Sequence, residues 1–190
     1  DNGGRRVGMR FDLTVPLARF VAQHENELGM PFKRYHIGPV WRAENTQRGR
    51  YREFMQCDFD TIGTESIAAD CESAMVIHDL LDAVAGGEFT VSVNNRRMLS
   101  GYLEGLGLAE RSAAALRALD KLEKVGAEKV AEELRREAQA TDAEVEGVLA
   151  LAEISGAREE VLGELAPLVE GSELGERGLE ELREVCAALA

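Results

Sequence analysis

The sequence predicts an α+β fold, a piece of antiparallel sheet with flanking helices followed by an all-helical region. Two observations carry this. Strand signals are confined to the first half of the chain, where runs of alternating character on either side of a polar, arginine-rich loop read as a hairpin. From Asn95 onward those signals vanish, and Ala, Leu, Glu and Arg recur at helical spacing between glycines. The change of style marks two expected units, 1–95 and 96–190.

Taken in order, residues 1–8 read as a loop or frayed end and Met9–Thr14 as a short strand. Pro16 is well placed to begin a helix to about Leu28, with Leu17, Phe20, Val21 and His24 on one stripe. The hairpin spans Phe32–Gly63. Thr64, Glu65 and Ser66 then open a long helix to about Val84, striped by Ile67, Cys71, Ala74, Met75, His78 and Leu81. Gly86 and Gly87 end it, and Phe89–Val93 reads as another strand. Helices follow near 96–106, 109–119, 127–138, 142–154, 158–168 and 176–189. Thr141–Asp142 and Ser172–Glu173 supply helix starts. Leu179, Leu182, Val185, Cys186 and Leu189 make the last helix amphipathic.

With 45% hydrophobic residues in 190, the chain can build a core and is not a disordered sequence. No apolar run approaches the ~18 residues of a membrane span, and no signal-peptide pattern is present. Cys57, Cys71 and Cys186 are odd in number and lack C-x-x-C spacing, which argues against a disulfide framework or zinc site and for a reducing cytoplasm. Cys57 and Cys71 read as packed thiols. Single histidines such as His36 and His78 lack ligand partners at usable spacing, so no resident metal is expected. The net charge of −13 argues against a broad nucleic-acid surface. It is uneven: residues 1–64 carry +2 and residues 65–190 carry −15. Arg48, Arg50 and Arg52 crowd the hairpin loop and suit a triphosphate or an RNA end.

Strands expose alternate residues to opposite sides. The even positions of the hairpin are Arg34, His36, Gly38, Val40, Arg42 and Glu44 on one strand, and Arg52, Phe54, Gln56, Asp58, Asp60 and Ile62 on the other. Pairing Arg42 with Phe54, and Glu44 with Arg52, puts both sets on one face. That face is too polar for an ordinary core and too ordered for a loop. By pattern alone it reads equally as a functional face or as a solvated sheet face. The other face, with Tyr35, Ile37, Trp41, Met55, Cys57 and Phe59 beside Lys33, Glu53 and Thr61, is not cleanly apolar.

The spacing is more specific. Arg42, Ala43 and Glu44, then a loop, then Arg50, Phe54 and Asp58 resemble motif 2 of the class II aminoacyl-tRNA synthetases. MRFDLTVPLARF from Met9, KRYHIG from Lys33, GRYREFMQCDFD from Gly49 and VNNRRML from Val93 together resemble the histidyl-tRNA synthetase family, in the form closest to eukaryotic and archaeal enzymes. The second half matches only in its helical character and in LDKLEKV from Leu119.

The resemblance implies ATP, carried with Mg2+, L-histidine and tRNA(His) as ligands. It places Arg42 on the α-phosphate, Phe54 against adenine, Glu44 at the adenine end or the tRNA's terminal adenosine, and Arg50 near the phosphates. It gives Asp12, Thr14 and Gln56 to the α-ammonium, and Asp60 to an imidazole N–H. Read without it, Arg42 is a cross-strand ion-pair residue, Asp12 a turn or cap residue, and Asp60 a strand end. In the family a helical insertion occupies the place of residues 96–190 and packs toward the tRNA acceptor stem. Motif 1, motif 3, the histidine-specific arginine–tyrosine segment and the anticodon-binding domain are not found in this sequence. The expectation is a homodimeric, cytoplasmic ligase when intact and an inactive chain alone. A non-catalytic paralogue that senses histidine or tRNA, and an interaction module using the acidic helices, are the competing readings.

Overall fold

The computed structural model describes residues 3–189, so Asp1 and Asn2 of the expected N-terminal loop lie outside the described residues. The chain forms two compact units, Asp1–Ala69 and Asp70–Ala190.

The first unit holds α1 (Thr14–His24), β1 (Phe32–Trp41) and β2 (Glu53–Ile62), with the strands antiparallel. Their register differs by two residues from the expected one. Val40, not Arg42, lies opposite Phe54, and Arg34 lies opposite Asp60. The loop explains the slip. Its tip closes as a reciprocal Gln47–Arg50 pair, while the Arg42 N–H bonds to Arg52 O at 2.8 Å. Residues 43–46 therefore face Tyr51 alone, and this bulge absorbs residues that symmetric counting assigns to the strands. A two-residue slip preserves parity, so the even residues still share one face.

Met9–Thr14 is not a strand. Its one ladder-like bond is Trp41 N–H to Arg10 O, at 2.9 Å. On that edge of β1 the next outward-facing position is Pro39, which has no N–H to give, so a ladder cannot continue. Side chains make the attachment instead: Arg10 Nε donates to Pro39 O (2.7 Å), Arg34 Nη2 to Leu13 O (3.1 Å) and Arg42 Nε to Phe11 O (3.2 Å). The small core here is Leu13, Leu17 and Val40. α1 begins at Thr14 and ends at His24, short of Leu28.

In the second unit, α2 (Ala68–Ala85) buries only Ala74 of its expected stripe. His78 is exposed beside Asp79, not turned into a core. Phe89–Val93 is not a strand, because no neighbouring strand among the described residues pairs with it. The helices after Asn95 follow the sequence closely: α3 (Arg96–Gly105), α4 (Ser112–Leu119) entered through a 3-10 turn, α5 (Leu122–Val125), α6 (Ala127–Glu137), α7 (Asp142–Glu153), α8 (Arg158–Leu165) and α9 (Glu173–Ala188). The short α5 was not expected, and α9 starts ahead of its expected residue 176. Local capping sets these boundaries. Asn95 Oδ1 accepts from Arg97 N and Met98 N, Thr141 and Glu144 form a reciprocal capping box, and Ser172 Oγ accepts from Gly175 N.

Two apolar clusters hold this unit. One centres on Leu103, Leu108, Val130, Leu134, Val145 and Val148, the other on Met98, Tyr102, Leu162, Val169, Leu179 and Leu182. α3 and α9 approach through glycines. A Cβ at Gly178 would run into Met98 N and come within 2.8 Å of Arg97 C, and one at Gly101 would strike the Gly175 backbone. No helix among the described residues is long and apolar enough to cross a membrane.

Candidate active site

The even face of the hairpin is the covered one. Along β1 and β2 the even positions are half-buried or buried, while Tyr35, Ile37 and Met55 are 79%, 57% and 63% exposed. Cys57, expected as a packed thiol, is exposed on that outer side. An ordinary two-faced sheet does the reverse, turning apolar side chains inward. The polar face is therefore not simply a solvated one.

Cross-strand pairs run down it in sequence: Arg34 with Asp60, His36 with Asp58, Gly38 with Gln56, and Val40 with Phe54. At the first pair, Arg34 Nη2 lies 3.0 Å from Asp60 Oδ2. The contact is close but is not aligned as a hydrogen bond, so Asp60 Oδ2 and Arg34 Nε are both buried without a hydrogen-bond partner. Gln56 Oε1 is buried and unpartnered as well. Buried polar atoms are nearly always paired, and an unpaired one costs about 1–3 kcal/mol. Two acceptors left open on one face match a ligand that brings N–H donors. Gly38 keeps the middle of the face low: a Cβ there would meet Arg10 Nη2 at 2.7 Å and His36 Nε2 at 3.4 Å.

At the other end, the Arg42 guanidinium sits 4.7 Å from the Phe11 ring centroid and 5.1 Å from that of Phe54. It pairs with no carboxylate among the described residues, so the cross-strand ion pair does not form. Two rings and the Phe11 carbonyl hold a planar cation in place at modest cost. In the loop, Arg50 Nη1 meets Glu44 Oε2 at 3.3 Å and Arg52 Nε meets Glu44 O at 3.4 Å. Both partners of the first pair are solvent-accessible, so it is weak and easily exchanged. Asp12 Oδ1 accepts from Val15 N at 2.9 Å, a local bond in the turn that leads into α1, in keeping with the turn-or-cap reading made without the resemblance, and Thr14 is the exposed first residue of α1.

The hairpin thus brings Arg42, Phe54, Gln56 and Asp60 onto one face, while Glu44 and Arg50 pair with each other in the loop beyond the ladder, and Asp12 and Thr14 lie on the segment that Arg10, Arg34 and Arg42 fasten to β1. From Phe54 to Asp60 the strand runs about 20 Å, enough for a nucleotide and an amino acid end to end. Arg10 and Arg34 were missed as site residues. In the expected register Asp60 falls opposite His36, which concealed the Arg34 pairing; the Pro39 break in the ladder was the available signal for the arginine bonds.

A family model for histidyl-tRNA synthetase matches residues 1–190. The histidine–tRNA ligase of Rhodopirellula baltica is 56% identical over 185 residues, covering 97% of this chain and 42% of its own length. That of Wolinella succinogenes is 46% identical over 191 residues, 100% of this chain and 43% of its own length. The crystal structure of histidyl-tRNA synthetase from Nostoc sp. PCC 7120 matches 95% of this chain and 42% of that chain, with TM-score 0.85 and 32% identity. A protein of Bacillus halodurans described as an ATP phosphoribosyltransferase regulatory subunit/histidyl-tRNA synthetase shares the fold, with TM-score 0.77 over 100% of this chain and 48% of that chain at 22% identity. This chain spans under half the length of these relatives.

Proposed function

The chain belongs to the histidyl-tRNA synthetase family, and on that premise we propose that its hairpin face serves a histidine–tRNA ligase in activating histidine with ATP. The observation that carries this is the pair of open, buried acceptors, Gln56 Oε1 and Asp60 Oδ2, on the same face as the Arg42–Phe54 stack. In the reaction a carboxylate oxygen of histidine forms a bond to the α-phosphorus of ATP while the bond to the leaving pyrophosphate breaks. A terminal ribose hydroxyl of tRNA(His) then attacks the acyl carbon and AMP leaves. Magnesium enters as part of the Mg-ATP substrate.

Arg42 stabilises the charge that builds on the α-phosphate; a planar, permanently charged guanidinium held in advance does this without reorganising. Phe54 stacks adenine. Glu44 reads the adenine end, and Arg50 exchanges its exposed pairing with Glu44 for the phosphates. Gln56, with Asp12 and Thr14, receives the α-ammonium. Asp60 accepts from an imidazole N–H, and a site built to bond a substrate N–H rejects analogues lacking it far better than an apolar pocket does. We place the boundary between catalytic piece and helical module near residue 95, the module beside the tRNA, and the working enzyme in the cytoplasm as a homodimer.

The test is ATP–pyrophosphate exchange by the gene product that carries this chain, across a panel of amino acids. Exchange with histidine alone is the expected result. Histidine binding without exchange would instead indicate a sensor built on this fold, and neither binding nor exchange would end the reading.

A further inference from the structure

We propose that Arg34 is a specificity-determining positioning residue: it fixes the Asp60 carboxylate as an acceptor aimed at the substrate ring, an inference that rests on the histidine-activating reading above. Arg34 and Asp60 face each other across β1 and β2, with side chains only 13% and 25% exposed. The guanidinium is held at two points, by Leu13 O at 3.1 Å and by Asp60 Oδ2 at 3.0 Å. It therefore ties the carboxylate to the segment that carries Asp12 and Thr14.

The pairing is not the kind that serves stability alone. A buried arginine–carboxylate pair kept for structure tends to be a two-pronged fork that satisfies both groups. Here one prong is present, poorly aligned, and Asp60 Oδ2 and Arg34 Nε stay open. The cation sets where the carboxylate sits while leaving acceptor capacity for something else. An ionised carboxylate only accepts, so its partner must be a donor such as a ring N–H. Without Arg34 the carboxylate is free to turn toward water, and its reading of that N–H is lost. The reacting end of the face, at Arg42 and Phe54, does not touch Arg34.

Arg34→Met and Arg34→Lys, made in the gene product that carries this chain, separate this from a bracing role. Arg34→Met is expected to raise KM for histidine about tenfold or more, the scale of one charge-assisted hydrogen bond. In pyrophosphate exchange, kcat and KM for ATP stay near wild type. The preference for histidine over its two ring-N-methylated analogues falls about tenfold. Arg34→Lys, which keeps the charge but not the fork, recovers part of both. Unchanged KM and preference would overturn the proposal. So would a joint fall of kcat, both affinities and melting temperature with Lys no better than Met, since that is the mark of bracing. If Arg34→Met does not fold, Arg34→Gln carries the same expectations, because it keeps a donor for Leu13 and removes the charge. Absence of exchange in the wild type would sink the parent reading together with this one; a flat Arg34 series in an active wild type sinks this one alone.

Discussion

On the hairpin the sheltered side carries Arg34, Gln56, Asp58 and Asp60 while Tyr35, Ile37 and Met55 face water; after Asn95 the buried residues include Met98, Leu134, Val148 and Leu179, and the half-buried carboxylates of Glu133, Glu144 and Glu181 are all ion-paired. The first arrangement spends burial on polar atoms, two of whose acceptors have no hydrogen-bond partner. Each such atom costs about as much as burying one Leu or Val contributes. With Leu13, Leu17 and Val40 as its buried apolar side chains among the described residues, the hairpin unit has little surplus. The helical unit has two apolar clusters and, among the described residues, no buried side-chain polar atom without a hydrogen-bond partner. On the proposed reading, function and stability lie in different halves, and substitutions should sort accordingly.

The largest expected loss of stability is from Leu134→Ala, a side chain with no exposure in the first helical cluster. It should lower the unfolding free energy by about 2–5 kcal/mol, read from urea or heat melting, with exchange kinetics of the surviving folded protein unchanged. Gly178→Ala comes next. A helical Gly→Ala change gains up to about 1 kcal/mol in propensity, but the new Cβ meets Met98 and Arg97 backbone, which cannot swing aside. The clash should win, for a net loss of about 1–3 kcal/mol; a rise in melting temperature would show that α3 and α9 separate easily. Asn95→Ala removes the α3 cap and the bond from its Nδ2 to Glu181 Oε2, and should cost about 1 kcal/mol or somewhat more.

Acid should distinguish the two halves more gently. The Asn95 amide, with Arg97 and Arg177 beside it, holds the Glu181 carboxyl below the usual carboxylate range, and the Thr141 backbone N–H does the same for Glu144. Both folded-state values are depressed. Their contribution is therefore present above the unfolded value and is lost as pH falls through the folded one. The helical unit should weaken as pH drops below about 4.5, and Glu181→Gln should make that slope shallower. Equal slopes in the two proteins would remove Glu181 from the account. The smallest effect belongs to Ile37→Thr on the outward hairpin face: less than about 0.5 kcal/mol, since that side chain is already in water and β-branching is kept. A large loss there would mean the outer face is covered.

The same contrast decided what was legible in the sequence. Most helices after Asn95, α5 excepted, could be placed to within about three residues because their signals, such as Thr141 and the glycines, are local. Strands need partners, and sequence distance hides them. Met9–Thr14 and Phe89–Val93 both have strand composition, yet one meets a proline in its would-be neighbour and the other meets no strand among the described residues. Parity survived where register did not. The face of the hairpin was right because a two-residue slip keeps it, but the bulge at 43–46 was invisible and so was the Arg34–Asp60 pair it produces. The helix stripe of α2 failed for a third reason: periodicity marks an apolar face, not whether that face is covered.

The most direct test makes Arg42→Ala and Leu134→Ala in parallel and measures histidine-dependent pyrophosphate exchange and melting on the same samples. The account predicts a crossed result. Arg42→Ala should lose about 10²–10³-fold in exchange rate with melting nearly unchanged, and Leu134→Ala should melt earlier while exchanging at nearly the wild-type rate per folded molecule. If Arg42→Ala exchanges normally, or if both variants lose stability and activity together, chemistry and stability are not divided between the hairpin and the helices.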